Sequence, residues 1–237
     1  MPTAAILTIG NELVSGDVAN TNATWLARRL EQLGLRVQLI AAVPDDVDRV
    51  APFLREQALG ADVVVVTGGL GGTPDDLTRE AVAAAFGVPQ EPVPELAEEL
   101  RARFASDPEY AARWADLPAG SRPLANPLGG APGFAIENVF VLPGLPAEME
   151  AMFETLADEL RRERPIGSWR RTYEARESEI AAVLAEAGER WPDVLVGSYP
   201  SFHRGGPMVE VVVKSSDADD LAAAGAWIEA ALTRALQ

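Results

Sequence analysis

The sequence predicts an α/β protein whose main sheet is largely parallel and is covered by helices on both sides. Apolar runs at Ala4–Ile9, Leu35–Val43 and Ala61–Thr67 alternate with segments whose apolar residues recur at helical spacing. This β-α-β-α-β-α order is typical of parallel strands joined by crossover helices. The third run contains the consecutive valines Val63–Val66, a pattern that favours a central strand buried on both faces.

The connecting helices are predicted at Asn22–Leu33, at Val47–Leu54 and at Pro74–Phe86. In the third of these, Thr73 is the expected N-cap and Pro74 the expected first helical residue. A hydroxyl can accept from the free N–H groups of a helix start, and proline lacks an N–H that would be unpaired there.

The middle of the chain is less regular. Helices are predicted at Pro94–Phe104 and Pro146–Arg162, and Leu117–Gly133, which is rich in proline and glycine, is predicted to be mostly loop. Phe134–Ile136 and Val139–Leu142 are short apolar runs separated by two residues, which indicates a β-hairpin.

Pro165 and Gly167 interrupt the helical pattern and mark a candidate linker. The remainder is predicted as β-α-β-β-α, with Asp217 as the N-cap of the last helix. We therefore predict a main domain at residues 1–164 and a small α+β subdomain at residues 168–237.

Composition restricts the class of protein. The chain has 237 residues, 48% of them hydrophobic, which is enough for a sizeable core. No apolar run approaches the ~20 residues of a membrane span, and the start of the chain lacks the basic segment of a signal peptide. The absence of cysteine excludes disulfides and thiolate metal sites, and a single histidine excludes sites that need two. We expect a cytoplasmic protein.

The net charge is −16, and Lys214 is the only lysine. Such a surface repels nucleic acid and anionic membranes, so neither is an expected partner. Two explanations of the acidity stay open: adaptation to a high-salt cytoplasm, and a GC-rich genome that favours arginine and alanine codons.

The strongest functional signal is Thr67–Thr78, TGGLGGTPDDLT, which leaves the valine-rich strand and opens a helix. Glycines let backbone N–H groups approach a phosphate, and a helix N-terminus adds partial positive charge. The alternative is a tight turn. Asp75 and Asp76 either hold Mg²⁺, or are there only because the helix dipole favours carboxylates in the first turn. The expected phosphate-binding residues are Thr67, Gly68, Gly69, Leu70, Gly71 and Thr78.

Two further clusters carry ligand-binding groups. Gly10–Asp17 follows the first strand, and because ligands of open α/β sheets bind beyond the carboxyl ends of strands, we expect it beside Thr67–Thr78. The third cluster consists of glycine-punctuated turns at Asn126–Gly133 and Leu142–Pro146. Both clusters have a purely structural alternative, as capped loops and as rigid turns. Their candidate ligand residues are Gly10, Asn11, Glu12, Ser15, Asn22, Asn126, Gly129, Pro143 and Gly144.

At these clusters the chain resembles a known family. GNELVSGDVANTN, TGGLGGTPDDLT, NPLGGAPGF and LPGLPAEM stand in the order found in the N-terminal domain of CinA, the competence/damage-inducible protein, within the wider MoaB/MogA-like molybdopterin-binding fold. The resemblance covers about Ala4 to Glu163. It implies a three-layer α/β/α fold around a mostly parallel mixed sheet, and a homo-oligomer, either a dimer or a trimer.

The resemblance also implies hydrolysis of the pyrophosphate of ADP-ribose, FAD or a similar dinucleotide with a divalent metal such as Mg²⁺. By the motif, Asp75 and Asp76 match the family's acidic pair and are the expected catalytic and metal-binding residues. MoaB/MogA relatives bind molybdopterin, and some adenylylate it, so a molybdopterin-binding or adenylylating protein is the alternative. In either case the expected partner is a small nucleotide or pterin phosphate.

Two places depart from the family pattern. The family commonly has proline where this chain has Gly72, and Asn-Arg-Lys-Gln where it has Ala111–Trp114. Arg113 is the remaining cation and is the expected partner of the leaving phosphate. Loss of the polar set favours a third hypothesis, a non-catalytic nucleotide-binding module. Our leading prediction is a metal-assisted nucleotide pyrophosphatase.

Overall fold

The structure, a computed structural model, describes residues 2–162, 164–203 and 206–236, apart from the side chain of His203. The chain divides into two compact units. The larger unit consists of Pro2–Glu31 and Leu35–Arg161, and the smaller unit mainly of Arg162–Gln237. Within the described ranges, no helix combines the length and the apolar character needed to cross a membrane.

The strands are β1 Thr3–Ile9, β2 Arg36–Val43, β3 Val63–Thr67, β4 Gln90–Pro92, β5 Asp116–Pro118, β6 Arg122–Leu124, β7 Gly133–Ile136, β8 Val139–Leu142, β9 Gly167–Tyr173, β10 Leu195–His203 and β11 Gly206–Ser215. The α-helices are α1 Asn11–Ser15, α2 Thr21–Gln32, α3 Val47–Gly60, α4 Thr78–Phe86, α5 Pro94–Arg103, α6 Pro108–Ala112, α7 Pro146–Leu160, α8 Glu177–Arg190 and α9 Ala218–Ala235. A 3₁₀ turn at Arg113–Ala115 follows α6.

The larger unit is built on a six-stranded mixed sheet with the strand order β2-β1-β3-β8-β7-β6. The first four strands in this order pair in parallel, and the β8-β7 and β7-β6 pairs are antiparallel. In the centre, Leu7 of β1 lies opposite Ala41 of β2 and Val66 of β3. The predicted α/β fold with a mostly parallel mixed sheet is confirmed.

Helices cover both faces of this sheet. Leu7 and Val66 pack with apolar residues of α3 and α4 on one face. Residues that point to the opposite face, such as Ile6, are equally buried. That face is covered by α2 and α7, where Trp25 and Phe153 meet edge to face with ring centroids 5.5 Å apart. The three layers follow from strands that are apolar on both faces.

The smaller unit is a three-stranded antiparallel sheet of order β10-β11-β9 with α8 and α9. Val211 of β11 packs with Ile180 of α8 and Ile228 of α9 in a separate hydrophobic core. Asp217 caps α9, since its carboxylate accepts from the N–H of Asp219 at 3.0 Å. The predicted β-α-β-β-α order is confirmed.

The predicted start of α4 is wrong. The helix begins at Thr78 rather than at Pro74. The carboxylate of Asp76 accepts a hydrogen bond from the N–H of Thr73 at 2.8 Å, so these residues close into a turn of their own before the helix. Thr73 therefore does not cap α4.

The prediction that Leu117–Gly133 is mostly loop is confirmed, although the end of β5 and all of β6 lie within that stretch. β5 pairs with β4, and β6 pairs with β7. The hairpin predicted next to it is confirmed: β7 and β8 pair antiparallel, with Glu137 in the turn at φ 49°.

Candidate functional site

A cavity of about 730 Å³ lies at the carboxyl-terminal edge of the parallel strands. Residues that follow four strands line it: Gly10 after β1, Asp45 after β2, Gly68 after β3 and Pro143 after β8. The direction of the strand order reverses between β1 and β3, and ligands of open α/β sheets bind beside such a switch point. The fold therefore makes this cavity the candidate ligand site.

Gly68–Gly71 line the cavity, and together with the adjacent Gly72 they form a segment that we call the glycine loop. Thr78, the first residue of α4, is fully buried and holds the beginning of this loop. Its hydroxyl donates to the Gly68 carbonyl at 2.8 Å, and its N–H donates to the Gly69 carbonyl at 3.2 Å. Thr78 therefore holds the loop backbone in position from the start of α4.

The next residue, Arg79, holds the rest of the loop. Its Nη1 donates to the Leu70 carbonyl at 2.9 Å, and its Nη2 donates to the Gly71 carbonyl at 2.8 Å. Arg79 is buried, and burial lowers the pKa of its guanidinium, while nearby acidic groups oppose that shift. Because arginine stays protonated in proteins, both donors remain charged.

The hydrogen bonds to these carbonyls determine where the loop N–H groups point. In a planar trans peptide the N–H lies opposite the C=O. The four carbonyls of Gly68–Gly71 are bound at the start of α4, so the N–H groups of Gly69–Gly72 point away from it. Within the described part of the chain, none of these four N–H groups donates a hydrogen bond. Adjacent free N–H groups of this kind are able to bind an anion.

Two glycines of the loop are required by its geometry. Gly68 has φ 107° and Gly69 has φ 63°, a region that residues with a Cβ rarely adopt. A Cβ at Gly68 would collide with the carbonyl of Ile9, and a Cβ at Gly69 would collide with the hydroxyl of Thr78. The loop can approach β1 and α4 this closely only with glycine.

The two aspartates of the predicted acidic pair have different surroundings. Asp76 is half-buried, and its Oδ2 accepts from the N–H of Thr73 at 2.8 Å and from the Thr73 hydroxyl at 2.5 Å. Asp75 is exposed. Both line the cavity. Asp76 thus shapes the loop, whereas Asp75 is the more accessible carboxylate.

The cavity is strongly acidic. Among the described residues, five carboxylates line it and no lysine or arginine does; the carboxylates are Glu12, Asp45, Asp75, Asp76 and Glu148. Burial raises the pKa of Asp45, the N–H of Asn11 at 2.7 Å opposes this, and the charges of the neighbouring carboxylates raise it further. An anionic ligand would be repelled here unless a cation accompanied it.

Polar side chains join the strand ends around the cavity. Asn22 Nδ2 donates to the Gly144 carbonyl at 2.9 Å and to Thr67 Oγ1 at 3.3 Å, and Thr67 Oγ1 donates to the Pro143 carbonyl at 2.7 Å. Asn22 Oδ1 is buried and has no hydrogen-bond partner among the described residues. The cavity wall thus contains a buried acceptor that no described protein donor satisfies.

Most of the predicted site residues come together in the structure. Those that line the cavity are Gly10, Glu12, Asn22, Thr67, Gly68, Gly69, Leu70, Gly71, Asp75, Asp76, Gly129, Pro143 and Gly144. Those that do not line it are Asn11, Ser15, Thr78, Arg113 and Asn126.

The residues outside the cavity wall have other contacts. Asn126 is buried, and its Nδ2 donates to Glu148 Oε2 at 2.9 Å, which ties the turn after β6 to α7. The Ser15 hydroxyl donates to Asp17 at 2.6 Å. Arg113 is exposed, and its guanidinium lies 5.0 Å from the centre of the Tyr110 ring.

Sequence reasoning missed several residues of the site. Asp45 follows β2, and its place at a carboxyl strand end was a usable signal. Arg79 carried a different signal. A cation in the first turn of a helix is unfavourable because of the helix dipole, so an arginine at that position indicates another role. Phe104, Trp114 and Glu148 line the cavity through tertiary packing, which no local pattern predicted.

Two family models match the chain. Residues 5–162 match a family described as "Probable molybdopterin binding domain", which covers more than half of the chain. The chain belongs to this family. Residues 172–236 match the description "FAD synthase, middle domain".

Relatives of this chain within the family include CinA and CinA-like proteins. A CinA-like protein of Frankia casuarinae is 40% identical over 79% of this chain, which spans 48% of that relative. A protein of Pyrobaculum calidifontis is 39% identical over 100% of this chain and 95% of its own length. The crystal structure of CinA from Thermoplasma acidophilum, a protein of unknown function, matches with a TM-score of 0.63 and 32% sequence identity. The match covers 68% of this chain and 99% of the CinA chain. The predicted CinA-type family is confirmed.

Proposed function

We propose that this protein is a metal-assisted nucleotide pyrophosphatase that acts on FAD, ADP-ribose or a similar dinucleotide. The observation that carries the proposal is the row of free N–H groups at Gly69–Gly72, in the described structure, beside a carboxylate-lined cavity. A pyrophosphate needs hydrogen-bond donors for its oxygens and a cation for its charge. The loop supplies the donors, and the carboxylates supply a place for the cation.

The donor set fits a metal site that the substrate completes. Residues 2–162, 164–203 and 206–236 contain no group of three side chains arranged to hold a metal ion. Mg²⁺ needs only one or two protein carboxylates when substrate phosphates and waters complete its shell. Asp75 is the proposed ligand because it is exposed beside the loop, and Asp76 would contribute directly or through water. When bound, the metal would polarise a phosphoryl oxygen and lower the pKa of a bound water.

The chain's own residues account for binding and charge stabilisation. In the proposed reaction a water oxygen attacks one phosphorus, the bridging P–O bond breaks, and the proton of the water leaves to solvent. FAD would give FMN and AMP, and ADP-ribose would give AMP and ribose 5-phosphate. The N–H groups of Gly69–Gly72 would bind the non-bridging oxygens as their charge redistributes.

The size of the cavity supports a small-molecule substrate, and a second match favours FAD among the dinucleotides. The cavity of about 730 Å³ falls within the roughly 300–1,000 Å³ of small-molecule sites. The same chain carries a region similar to the FAD synthase middle domain.

The test measures AMP release from FAD and from ADP-ribose by the purified protein with Mg²⁺. Asp75→Asn is expected to lower the rate about 100-fold, equal to about 2.7 kcal/mol of barrier. Asp158→Asn is the matched control, because this carboxylate has a side-chain exposure of 96% and does not line the cavity. Wild-type AMP release no greater than that of Asp75→Asn would contradict the proposal.

Binding of a molybdopterin is the second candidate, favoured by the description of the matching family. The glycine loop would then hold the terminal phosphate of the pterin. Protein purified under native conditions and then denatured would release a fluorescent pterin, identified by its mass. A non-catalytic nucleotide-binding module would instead show tight binding of ADP-ribose with no AMP release. A homo-oligomer, a dimer or trimer, stays a prediction for analytical ultracentrifugation.

A further inference from the structure

One end of the cavity is aromatic, in contrast to its acidic part. Phe104 and Trp114 line it together with Leu128. The rings of Phe104 and Trp114 meet edge to face at 5.0 Å and 87°, which fixes the orientation of both. Leu128, which lines the same cavity, has an exposure of 59%. Phe104 and Trp114 pack on one side against apolar residues of α5 and α6, and the part of each that lines the cavity stays open.

The indole nitrogen of Trp114 has no partner. Trp114 Nε1 is buried, yet among the described residues no acceptor lies within hydrogen-bond reach of it. A buried indole N–H normally finds an acceptor. Trp114 and Asn22 therefore offer an unpaired donor and an unpaired acceptor, and both residues line the same cavity.

The aromatic end is built directly against the glycine loop. Tyr110 packs edge to face on Trp114, with ring centroids 5.7 Å apart. A Cβ at Gly72 would collide with the ring of Tyr110, so the ring lies against the loop backbone. The glycine at position 72 therefore makes room for the aromatic segment.

We propose that Phe104, Trp114 and Leu128 bind the flat heteroaromatic ring of a nucleotide whose phosphate lies on the N–H groups of Gly69–Gly72. This inference rests on the proposed phosphate-binding role of the loop. It adds the substrate class: nucleotides with a planar base or flavin, in preference to sugar phosphates or pyrophosphate without a ring.

AMP and ribose 5-phosphate are the probes, because they share the ribose and the phosphate and differ by the base. Calorimetric titration with Mg²⁺ present is expected to show wild type binding AMP at least about tenfold more tightly than ribose 5-phosphate. Trp114→Ala is expected to weaken AMP binding by roughly tenfold and to leave ribose 5-phosphate unchanged. Trp114→Phe keeps a ring and is expected to show a smaller loss. Gly69→Ala is expected to weaken both ligands.

Tryptophan fluorescence gives a readout that a structural role alone would not move. AMP is expected to change the emission of wild type and of Trp25→Phe, since Trp25 packs on Phe153 and does not line the cavity. The change is expected to be absent in Trp114→Phe. Equal affinity of wild type for AMP and ribose 5-phosphate, or equal losses of both in Trp114→Ala, would overturn the ring site alone. No binding of either ligand by wild type would overturn the proposed function as well.

Discussion

Arg79 is the residue on which the orientation of the glycine loop depends most. Arg79→Met leaves the Leu70 and Gly71 carbonyls without their donors, so the free energy of unfolding is expected to fall by about 1–3 kcal/mol. The loop N–H groups then lose their fixed direction, and affinity for AMP is expected to fall about tenfold or more.

The chain offers a matched control for this change in Arg55. Its Nε donates to the Ala85 carbonyl at 2.8 Å and its Nη2 to the Ala84 carbonyl at 2.9 Å, at the opposite end of α4. Arg55→Met therefore removes the same kind of contact away from the loop, and AMP affinity is expected to stay within about twofold of wild type. Calorimetry and urea unfolding separate the two effects. Equal losses of affinity in both variants would show that Arg79 acts only through stability.

Asp45 gives a prediction about pH. Burial and the surrounding carboxylates hold the pKa of Asp45 above its ordinary value in the folded protein. The folded state then binds more protons than the unfolded state between the two pKa values, so the free energy of unfolding falls as pH rises through that window. Asp45→Asn is expected to raise the melting temperature at neutral pH without ligand, and the gain is expected to vanish in acid. Asp158→Asn, which changes an exposed carboxylate, is the control. A gain in melting temperature that does not depend on pH would contradict the raised pKa of Asp45.

At the scale of elements, the turn from β3 into the glycine loop depends on backbone conformation. Gly69→Ala adds a Cβ at φ 63° and a collision with Thr78, whereas Gly120→Ala adds one at φ 81° with no atom within 4 Å. Both are expected to lose about 1–2 kcal/mol of stability from the left-handed conformation. Only Gly69→Ala is expected also to lose AMP binding, measured by calorimetry. Retained binding in Gly69→Ala would show that the loop tolerates a different path.

The first residue of α4 could not be predicted from the sequence. Thr73 and Pro74 match the preferred residues of a helix start, but Asp76 accepts from the N–H of Thr73, and this local turn delays the helix to Thr78. Asx and threonine side chains offer the backbone such alternatives, and the sequence alone does not rank them. Long apolar runs such as Val63–Thr67 were predictable because burial on both faces requires them.

The shortest strands were not predictable for a different reason. Gln90–Pro92 pairs with Asp116–Pro118, a partner far along the chain, and each segment ends in proline. Three residues with a proline carry no periodicity, so their pairing depends on the tertiary fold.

At the scale of the whole molecule, the sheet topology decides which loops meet. The parallel strands β1, β2, β3 and β8 end at one edge, which brings Gly10, Asp45, Gly68 and Pro143 to a single cavity. The order of strands explains why the clusters after β1 and β3 could be predicted as neighbours. The wall formed by Phe104 and Trp114 could not, because it comes from α5 and the turn after α6, whose packing no strand order specifies.

The net charge of −16 predicts how the whole molecule responds to salt. Exposed arginine–carboxylate pairs such as Arg122–Glu159, with N···O 2.9 Å, contribute at most about 1 kcal/mol each, so salt removes little by screening them. The repulsion among the excess carboxylates acts over longer distances, and the Debye length falls from about 10 Å at 0.1 M salt to about 3 Å at 1 M.

The free energy of unfolding is therefore expected to rise between about 0.1 M and about 3 M KCl, as measured by urea midpoints with an unchanged slope. KCl is preferred to a sulfate salt, because sulfate strengthens apolar burial in any protein. Near the isoelectric point of about 4.5, where the net charge approaches zero, the same titration is expected to show a smaller rise. A stability that does not change with KCl at neutral pH would contradict adaptation to a high-salt cytoplasm and would leave the arginine-rich, lysine-poor composition to codon preference.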